Sequence, residues 1–329
     1  MAKVMPWGQL EYLLGQIGER SWKCFASASF EERCTTVPAR LRELGVLGSL
    51  GILEISPPSD ALHRNSCGPL IVKASNDFSA YPNVTVHKTG LLDSLSAPLS
   101  WMANALQDAS SVVLDISAFP KRYFMFLVNK LMDNGNVRDL VVTYTKPLSY
   151  PEGVMAVDHD PIASLTGFMR EEEPEGATMS IIGAGFMQFS LSDYLEQAQG
   201  SEVNILLPFP PGSPSSRRNW NLMHRMDPNI EMLPSIRRVH AMDFFHALSW
   251  VNGVVDGCIA PKINFIPLGP KPHSLAMALA YRRAPSKSSV LYAQPHSYRP
   301  DYSLGVALRE DNLPDVHAYC LRRNFVDYA

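Results

Sequence analysis

Apolar and polar residues along the chain predict strands and helices in regular alternation. The apolar stripe of residues 8–18 predicts a short amphipathic helix, with Leu10, Leu13, Leu14 and Ile17 on one face. Strands are predicted in the first half at 22–29, 48–55, 83–87, 111–116 and 139–144. Helices are predicted there at 31–44, 93–109 and 121–133. This alternation indicates βαβ units and a mostly parallel sheet.

The second half repeats the alternation after a charged stretch. Residues 168–177 carry Pro174 and Gly176, which predicts a surface connection between domains, or alternatively a long exposed loop within one domain. Strands are predicted at 179–186, 202–207, 262–267, 289–292 and 317–321. Helices are predicted at 191–199, 217–226, 242–255 and 273–283. The expected organisation is an N-terminal helix at 1–20, a first domain at 21–165, a linker at 166–178 and a second domain at 179–329.

The two halves also share short sequence matches. Residues 144–150 (YTKPLSY) match residues 292–298 (YAQPHSY), and residues 116–121 (ISAFPK) match residues 266–271 (IPLGPK). Both Pro-Lys pairs follow a predicted strand and begin a helix, and both tyrosine motifs begin where the next strand ends. Looser matches join 28–30 to 184–186 and Gly153-Val154 to Gly305-Val306. We interpret these ordered matches as an internal duplication of a Rossmann-like domain.

Composition narrows the class of protein. The 329 residues are 46% hydrophobic and 19% charged, which is typical of a globular protein. The net charge of −3 gives no overall basic footprint for nucleic acid. No apolar run is long enough for a membrane span, and the first twelve residues predict no secretory signal. Five scattered cysteines without a Cys-x-x-Cys motif favour reduced thiols in a cytoplasm over a disulfide framework or a zinc site. We expect no metal site and no cofactor.

Candidate functional residues of the first half lie where predicted strands end. In an open parallel sheet, ligands bind beyond the carboxyl ends of the strands. The chemistry there would come from Glu31 or Asp115 as a general base and from Ser29 or Ser117 as an orienting group. Asp115 could equally accept a ribose hydroxyl, bind a metal or cap the following helix. Lys121 and Tyr150 complete the set, as a phosphate contact and a stacking ring.

In the second half, the turn Gly269-Pro270-Lys271-Pro272-His273 precedes a helix. Glycine permits close backbone approach, and amides at a helix N-terminus favour anions, so the turn could bind a phosphate. The alternative is a rigid proline turn with a solvated Lys271. Tyr298 is the second stacking candidate.

A second candidate phosphate-binding site lies near the middle of the second half. Arg217 and Arg218 precede Trp220, an arrangement that could hold a purine phosphate from a loop or form a solvated pair beside a core tryptophan.

The segment Asn264–Ala278 resembles the strand, turn and helix of CRISPR-associated Rossmann-fold (CARF) domains, whose turn ends in Thr-Lys. Gly269 and Lys271 match that turn, whereas Pro270 replaces the threonine and the second glycine is absent. Two such units in one chain are similar to the SAVED sensors of bacterial antiphage defence. The resemblance implies binding of a nucleotide or cyclic oligonucleotide, with either sensing or ring cleavage, and a separate effector chain.

The sequence therefore supports three hypotheses. The first is a cytoplasmic sensor or regulatory subunit of a bacterial defence system that binds a nucleotide-type ligand. The second is a hydrolase that acts on such a ligand. The third is an assembly subunit without a ligand. The expected partners are a small nucleotide-type ligand, an effector protein chain or a second copy of the chain, and no membrane.

Overall fold

A computed structural model describes residues 6–18, 20–106, 111–151, 155–185, 202–209 and 235–329. It divides the chain into two compact units. The first unit comprises Met1–Asp158 together with His296–Ala329, and the second comprises His159–Pro295. The predicted helices at 191–199 and 217–226, and with them Arg217 and Arg218, lie outside the described residues.

The strands of the described chain are β1 (Trp7–Gln9), β2 (Trp22–Ala28), β3 (Leu47–Ser56), β4 (Val84–Gly90), β5 (Ser111–Asp115), β6 (Asp139–Thr145), β7 (Ala156–His159), β8 (Ala163–Ser164), β9 (Thr178–Gly183), β10 (Glu202–Phe209), β11 (Ile236–His240), β12 (Lys262–Pro267), β13 (Ser288–Tyr292), β14 (Pro295–Tyr298), β15 (Val316–Arg323) and β16 (Val326–Asp327). The α-helices are α1 (Leu10–Ile17), α2 (Thr36–Glu43), α3 (Arg64–Phe78), α4 (Ser96–Ala105), α5 (Lys121–Asp133), α6 (Phe244–Gly257) and α7 (Lys271–Ala280).

Both units contain a mostly parallel sheet, which confirms the predicted α/β fold class. In the first unit, five parallel strands lie in the order β4-β3-β2-β5-β6. In the second unit, the parallel order is β11-β10-β9-β12-β13. Numbered along each unit, both orders read 3-2-1-4-5, the arrangement of a Rossmann-type sheet.

The sequence matches fall at equivalent points of these two sheets. Both Pro-Lys pairs join the fourth parallel strand to the next helix, with Lys121 first in α5 and Lys271 first in α7. Tyr144 and Tyr292 each lie at the end of the fifth parallel strand. An antiparallel strand borders that fifth strand in each unit, β15 beside β6 and β8 beside β13. The internal duplication itself stays a prediction.

Helices cover both faces of the first sheet. Buried side chains of α1, α2 and α3 form one apolar cluster with alternate strand residues, among them Cys24, Ala26 and Ala28 of β2. On the opposite face, Phe25 packs edge-on against Trp101 of α4, with ring centroids 5.5 Å apart. Strands buried on both faces need apolar residues at consecutive positions. This requirement explains why the central strands are recognisable in the sequence as short continuous apolar runs.

The C-terminal segment belongs to the first unit, whereas the sequence pattern places all of 179–329 in the second domain. Strand β15 pairs antiparallel with β6 on one side and with β1 on the other. Its residues Val316, Ala318 and Cys320 join the same apolar cluster as α1. The segment 1–20 is likewise no separate element, because the predicted stripe of α1 is buried in this cluster. Pairing with β15 covers an edge of β6 that would otherwise be open.

The predicted linker 166–178 lies inside the second unit. Phe168 is fully buried, and its carbonyl accepts a 2.9 Å hydrogen bond from the amide of Val290. The Arg170 side chain donates to Ser289 and Asn264. Glu171, Glu172 and Glu173 are exposed. The charged run therefore lies on the surface of the second unit. This matches the alternative expectation, a long exposed loop within one domain, rather than a connection between domains.

None of the helices in the described part of the chain is long and apolar enough to cross a bilayer.

Substitution of Arg322 in β15 tests the placement of the C-terminal strand. Its side chain is 8% exposed and donates to the carbonyls of Met132 (2.6 Å), Asn134 (3.0 Å) and Val137 (3.2 Å) at the end of α5. We expect Arg322→Met to lower the free energy of unfolding by about 3 kcal/mol, because buried carbonyls lose charged donors. Urea-induced unfolding of the full chain measures this loss.

Lys73→Met is the matched control for Arg322→Met. Lys73 forms an exposed ion pair with Asp77, so its loss should change stability by less than about 1 kcal/mol. Equal effects of the two substitutions would contradict the position of β15.

Candidate functional site

The first unit has a pocket at the carboxyl end of its sheet, between β2 and β5. At this point the chain connections leave the sheet in opposite directions, and open α/β sheets bind ligands in the resulting crevice. The pocket has a volume of about 50 Å³. Its lining residues are Ser27, Ala28, Ser29, Phe30, Ile55, Pro57, His63, Cys67, Ile71, Leu91, Ala118, Pro120, Ser297 and Tyr298.

Strand β2 with its following turn, the end of β3 with its connection to α3, the residue after β4, the turn after β5, helix α3 and the C-terminal segment all supply this lining. The turn after β2 provides Ser29, and the turn after β5 provides Pro120. Helix α3, which the apolar pattern does not predict, provides Cys67 and Ile71. The C-terminal segment closes the remaining side with Ser297 and Tyr298. Tyr298 therefore belongs to the site of the first unit, although its sequence position suggested the second.

Hydrogen bonds hold the C-terminal wall of the pocket in place. The amide of His63, just before α3, donates to Ser297 Oγ at 3.0 Å. The thiol of Cys67 donates to the carbonyl of Tyr298 at 3.4 Å. Burial raises the pKa of Cys67 to about 11, so the group is a neutral thiol at physiological pH. The Tyr298 ring contacts Tyr302 edge-on, with centroids 5.6 Å apart, and its exposed portion offers an aromatic surface.

Glu31, predicted as a candidate base, is part of a buried ion pair. Its Oε2 accepts hydrogen bonds from Arg33 Nη2 (2.7 Å) and Nε (3.0 Å), and both residues are at most 5% exposed. Ser303 also donates to this oxygen. Arg33 Nη1 donates to the carbonyl of Thr145 at 3.1 Å. The carboxylate thus joins the turn after β2 to the end of β6 and to the C-terminal segment.

Ser29 lines the pocket, whereas Tyr150 does not. Ser29 lines it, and Ser29 Oγ accepts a 3.2 Å hydrogen bond from the amide of Glu31. Tyr150 lies outside the lining and shares a 2.9 Å hydrogen bond with the hydroxyl of Tyr144. Burial, reinforced by Tyr144, holds the pKa of Tyr150 well above its usual value. Tyr150 is thus a neutral member of the polar cluster around Arg33.

Asp115 and Ser117 fix the turn after β5. Asp115 Oδ1 accepts hydrogen bonds from the amide of Ser117 (3.1 Å), from the Ser117 hydroxyl and from Thr143 Oγ1 (3.2 Å). Ser117 Oγ accepts in turn from the amide of Thr145 at 2.7 Å. Both residues are buried. The helix-capping alternative is not observed, because α5 begins after Pro120 without a side-chain cap.

Lys121 is half-buried at the first position of α5, directly after the lining residue Pro120. The first amides of a helix lack intrahelical partners, so this end of α5 favours an anion. Helix α3 also begins at the pocket, just after His63. Two helix N-termini therefore border the same crevice.

In the second unit, the glycines of the two central turns allow the backbones to meet. A Cβ on Gly185 would lie 1.7 Å from the carbonyl oxygen of Leu268, and one on Gly269 would lie 2.8 Å from that of Ala184. Only glycine fits such a close approach. Gly269 thus has a packing role between the turns after β9 and β12, and the ligand contact expected of it stays a prediction.

Lys271 and His273 begin α7 in that unit. Lys271 is half-buried at the first helical position. His273 is fully buried, and its Nε2 lies 3.1 Å from the carbonyl oxygen of His240. His273 is therefore a core residue of the second unit. The candidates Arg217 and Arg218, with Trp220, lie outside the described residues.

Nucleophilic and metal chemistry have little support in the described geometry. Burial holds the pKa of Cys24 well above its usual value and raises that of Cys34 to about 12. Neither thiol is therefore ionised at neutral pH. Within the described ranges, no three His, Cys, Asp or Glu side chains come together in a way that could hold a metal ion.

Comparisons with known proteins give only distant similarities. No protein-family model and no curated protein matches the chain. A putative universal stress protein from Pseudomonas aeruginosa UCBPP-PA14 is similar at 10% identity and a TM-score of 0.23, over 86% of this chain and 96% of that one. The cytoplasmic domain of a prokaryotic cation chloride cotransporter is similar at 10% identity and a TM-score of 0.21, over 84% and 96%. At these TM-scores neither similarity bears on function.

Glu31→Gln distinguishes a structural from a catalytic carboxylate. We expect this variant to lose about 3 kcal/mol of unfolding free energy, because it leaves the buried charge of Arg33 without its counterion. Combining it with Arg33→Met should cost less than the sum of the two single losses. Chemical denaturation of the four proteins measures both effects.

Glu32→Gln, at the neighbouring exposed carboxylate, is the control and should leave stability nearly unchanged. A Glu31→Gln variant as stable as Glu32→Gln would show that the ion pair does not hold the turn.

Proposed function

We propose that the protein is a ligand-binding sensor whose first unit takes a nucleotide-type ligand in the pocket between β2 and β5. The pocket's position at the crevice of a 3-2-1-4-5 sheet carries this proposal. Its volume of about 50 Å³ holds a few water molecules or one small group. A nucleotide would place one group inside and extend over the open side.

The chemistry around the crevice suits a phosphate. The N-termini of α3 and α5 both border the pocket, and Lys121 adds a positive charge beside one of them. The half-buried ring of Tyr298 offers a surface on which a base can stack. These features support binding of an anion that carries an aromatic ring.

The hydrolase alternative has less support. Glu31 and Asp115, the candidate bases, are both buried in internal hydrogen bonds and neither lines the pocket. A general base must lie within hydrogen-bond reach of the proton that it removes. Binding without turnover is therefore the function that this geometry favours.

The wider role follows from the resemblance to CARF and SAVED proteins and remains part of the proposal. The protein would act in bacterial antiphage defence, with a separate effector chain responding to the ligand. A cytoplasmic location is proposed because none of the five cysteines forms a disulfide. Self-association stays a prediction.

Thermal unfolding against nucleotides tests the proposed function. The panel contains AMP, ADP, NAD and cyclic di-, tri- and tetra-adenylate. We expect one class to raise Tm by roughly 4 °C at about 100 times its Kd, because a ligand that binds only the folded state stabilises it. No change in Tm with any member would overturn the proposal and favour the assembly subunit.

Two equivalent lysines then locate the ligand. Lys121→Gln in the first unit should weaken binding at least about tenfold, since it removes a phosphate contact. Lys271→Gln occupies the equivalent position of the second unit and should leave affinity unchanged. The reverse result, a loss only in Lys271→Gln, would place the ligand in the second unit.

A further inference from the structure

The turn between β15 and β16 has a backbone conformation that suits glycine but carries an aromatic residue. Arg323 of β15 pairs with Val326 of β16, so Asn324 and Phe325 form a two-residue hairpin turn. Both have a positive φ, 49° for Asn324 and 64° for Phe325. Positive φ at both central residues is characteristic of a type I′ turn, in which Asn-Gly is a preferred pair. A bulky side chain in this left-handed conformation is disfavoured, so Phe325 makes the turn less stable than glycine would.

The Phe325 side chain gains little burial in return for this strain. Phe325 is 59% exposed, and the nearby Val326 and Tyr328 are 61% and 43% exposed. Tyr328 stays beside β15, because its amide donates a 2.8 Å hydrogen bond to the carbonyl of Leu321. Three large apolar side chains within four residues are therefore exposed together. We call Phe325, Val326 and Tyr328 the hairpin surface.

Hydrogen bonds to the rest of the first unit fix the backbone of the turn. The amide of Phe325 donates to the carbonyl of Arg138 at 2.9 Å. The amide of Asn324 donates to Oδ1 of the buried Asp139 at 2.9 Å. The hairpin surface is therefore preorganised, and a preorganised surface loses little conformational entropy when a partner binds.

Arg323 indicates the charge of such a partner. In the antiparallel β15–β16 pair it lies opposite Val326, so the two side chains are on the same face of the hairpin. Its Nε is buried and has no hydrogen-bond acceptor. The neighbouring Arg322 is paired with Asp327, whereas Arg323 forms no ion pair with any residue in the described part of the chain. A carboxylate would supply the acceptor that Arg323 lacks.

We propose that the hairpin surface docks an acidic segment of a partner protein, with an apolar side chain of the partner against Phe325 and Val326 and a carboxylate at Arg323. Aromatic and arginine side chains are the commonest anchors of protein interfaces. Phe325 in place of glycine thus exchanges stability of the turn for such an anchor. One arginine beside Asp327 is too small a positive patch for a nucleic-acid backbone, which favours a peptide carboxylate. This inference goes beyond the proposed function and holds whether or not the pocket binds a nucleotide.

Thermal unfolding of Phe325→Gly tests whether the aromatic side chain serves the fold. This variant should match or exceed the Tm of wild type, because glycine adopts the left-handed conformation without strain. A Tm more than about 3 °C below wild type would show that the Phe325 side chain stabilises its own unit, and it would overturn the inference.

Fluorescence anisotropy with labelled twelve-residue peptides measures docking directly. The three probes alternate Asp with Leu, Lys with Leu, and Asp with Ser. Wild-type protein should bind the Asp-Leu peptide at least about tenfold more tightly than the other two, because only this peptide combines carboxylates with apolar side chains. Phe325→Gly and Arg323→Gln should each weaken that binding at least about tenfold.

Val86→Ser is the matched control, since Val86 is an exposed apolar residue of β4 at the opposite end of the same sheet. It should bind the Asp-Leu peptide as wild type does. No measurable binding of this peptide, equal affinity for the Lys-Leu peptide, or an unchanged affinity in Phe325→Gly would overturn the inference. Binding of a twelve-residue oligodeoxyadenylate that is lost in Phe325→Gly would also overturn it and would assign the hairpin surface to nucleic acid.

Discussion

The return of the chain to its first sheet is the constraint on which the rest of the first unit depends. Strand β15 adds antiparallel to β6 and contributes to the same apolar cluster as the N-terminal helix. On its way there the segment supplies Ser297 and Tyr298 to the pocket wall and Ser303 to the buried ion pair of Glu31. Without this pairing, one wall of the pocket and one partner of that ion pair would be absent.

The polar residues at the carboxyl end of the sheet divide into two groups by what they contact. Glu31 and Arg33 bond to each other in the turn after β2, and Asp115 and Ser117 bond to each other in the turn after β5. Arg33 and Ser117 both bond to Thr145 at the end of β6, so the two pairs fix the backbone around the crevice. Ser29, Tyr298 and the starts of α3 and α5 face the pocket itself. A buried ion pair contributes little net stability but is costly to break. The first group therefore fixes the shape of the pocket in which the proposed ligand would contact the second group.

The two units have the same strand order but differ in the structure of the turns at the carboxyl end of the sheet. In the first unit the turns after β2 and β5 leave a pocket between small and aromatic side chains. In the second unit Gly185 and Gly269 bring the equivalent turns into backbone contact. This difference supports a ligand site in one unit and a packing role for the glycine turn in the other.

Much of the fold was predictable because strands buried on both faces are short apolar runs with helices between them. The bounds of α5 and β12 follow directly from such runs, at 121–133 and 262–267. Helix α3 escaped prediction, although Cys67, Ile71, Ala74 and Phe78 recur at helical spacing, because Gly68 and Pro69 interrupt its first half. The place of the C-terminal strand was not predictable, since an antiparallel strand can join either sheet with the same apolar alternation.

The candidate site was predictable only in part. Ser29 follows from the rule that ligands bind where parallel strands end. The partners of Glu31 could not be foreseen, because Ser303 lies far along the chain and meets it only through the fold. Tyr298 was found through the repeated tyrosine motif, but that motif assigned it to the other unit.

Hydrogen exchange of the full chain, with and without the nucleotide that raises Tm, tests the central claim most directly. Bound ligand should slow amide exchange in residues 27–30, in the first turns of α3 and α5, and around Ser297 and Tyr298, because these segments line the pocket. Exchange in residues 269–274 of the second unit should stay unchanged. Protection confined to residues 269–274 would contradict the account and place the ligand at the glycine turn.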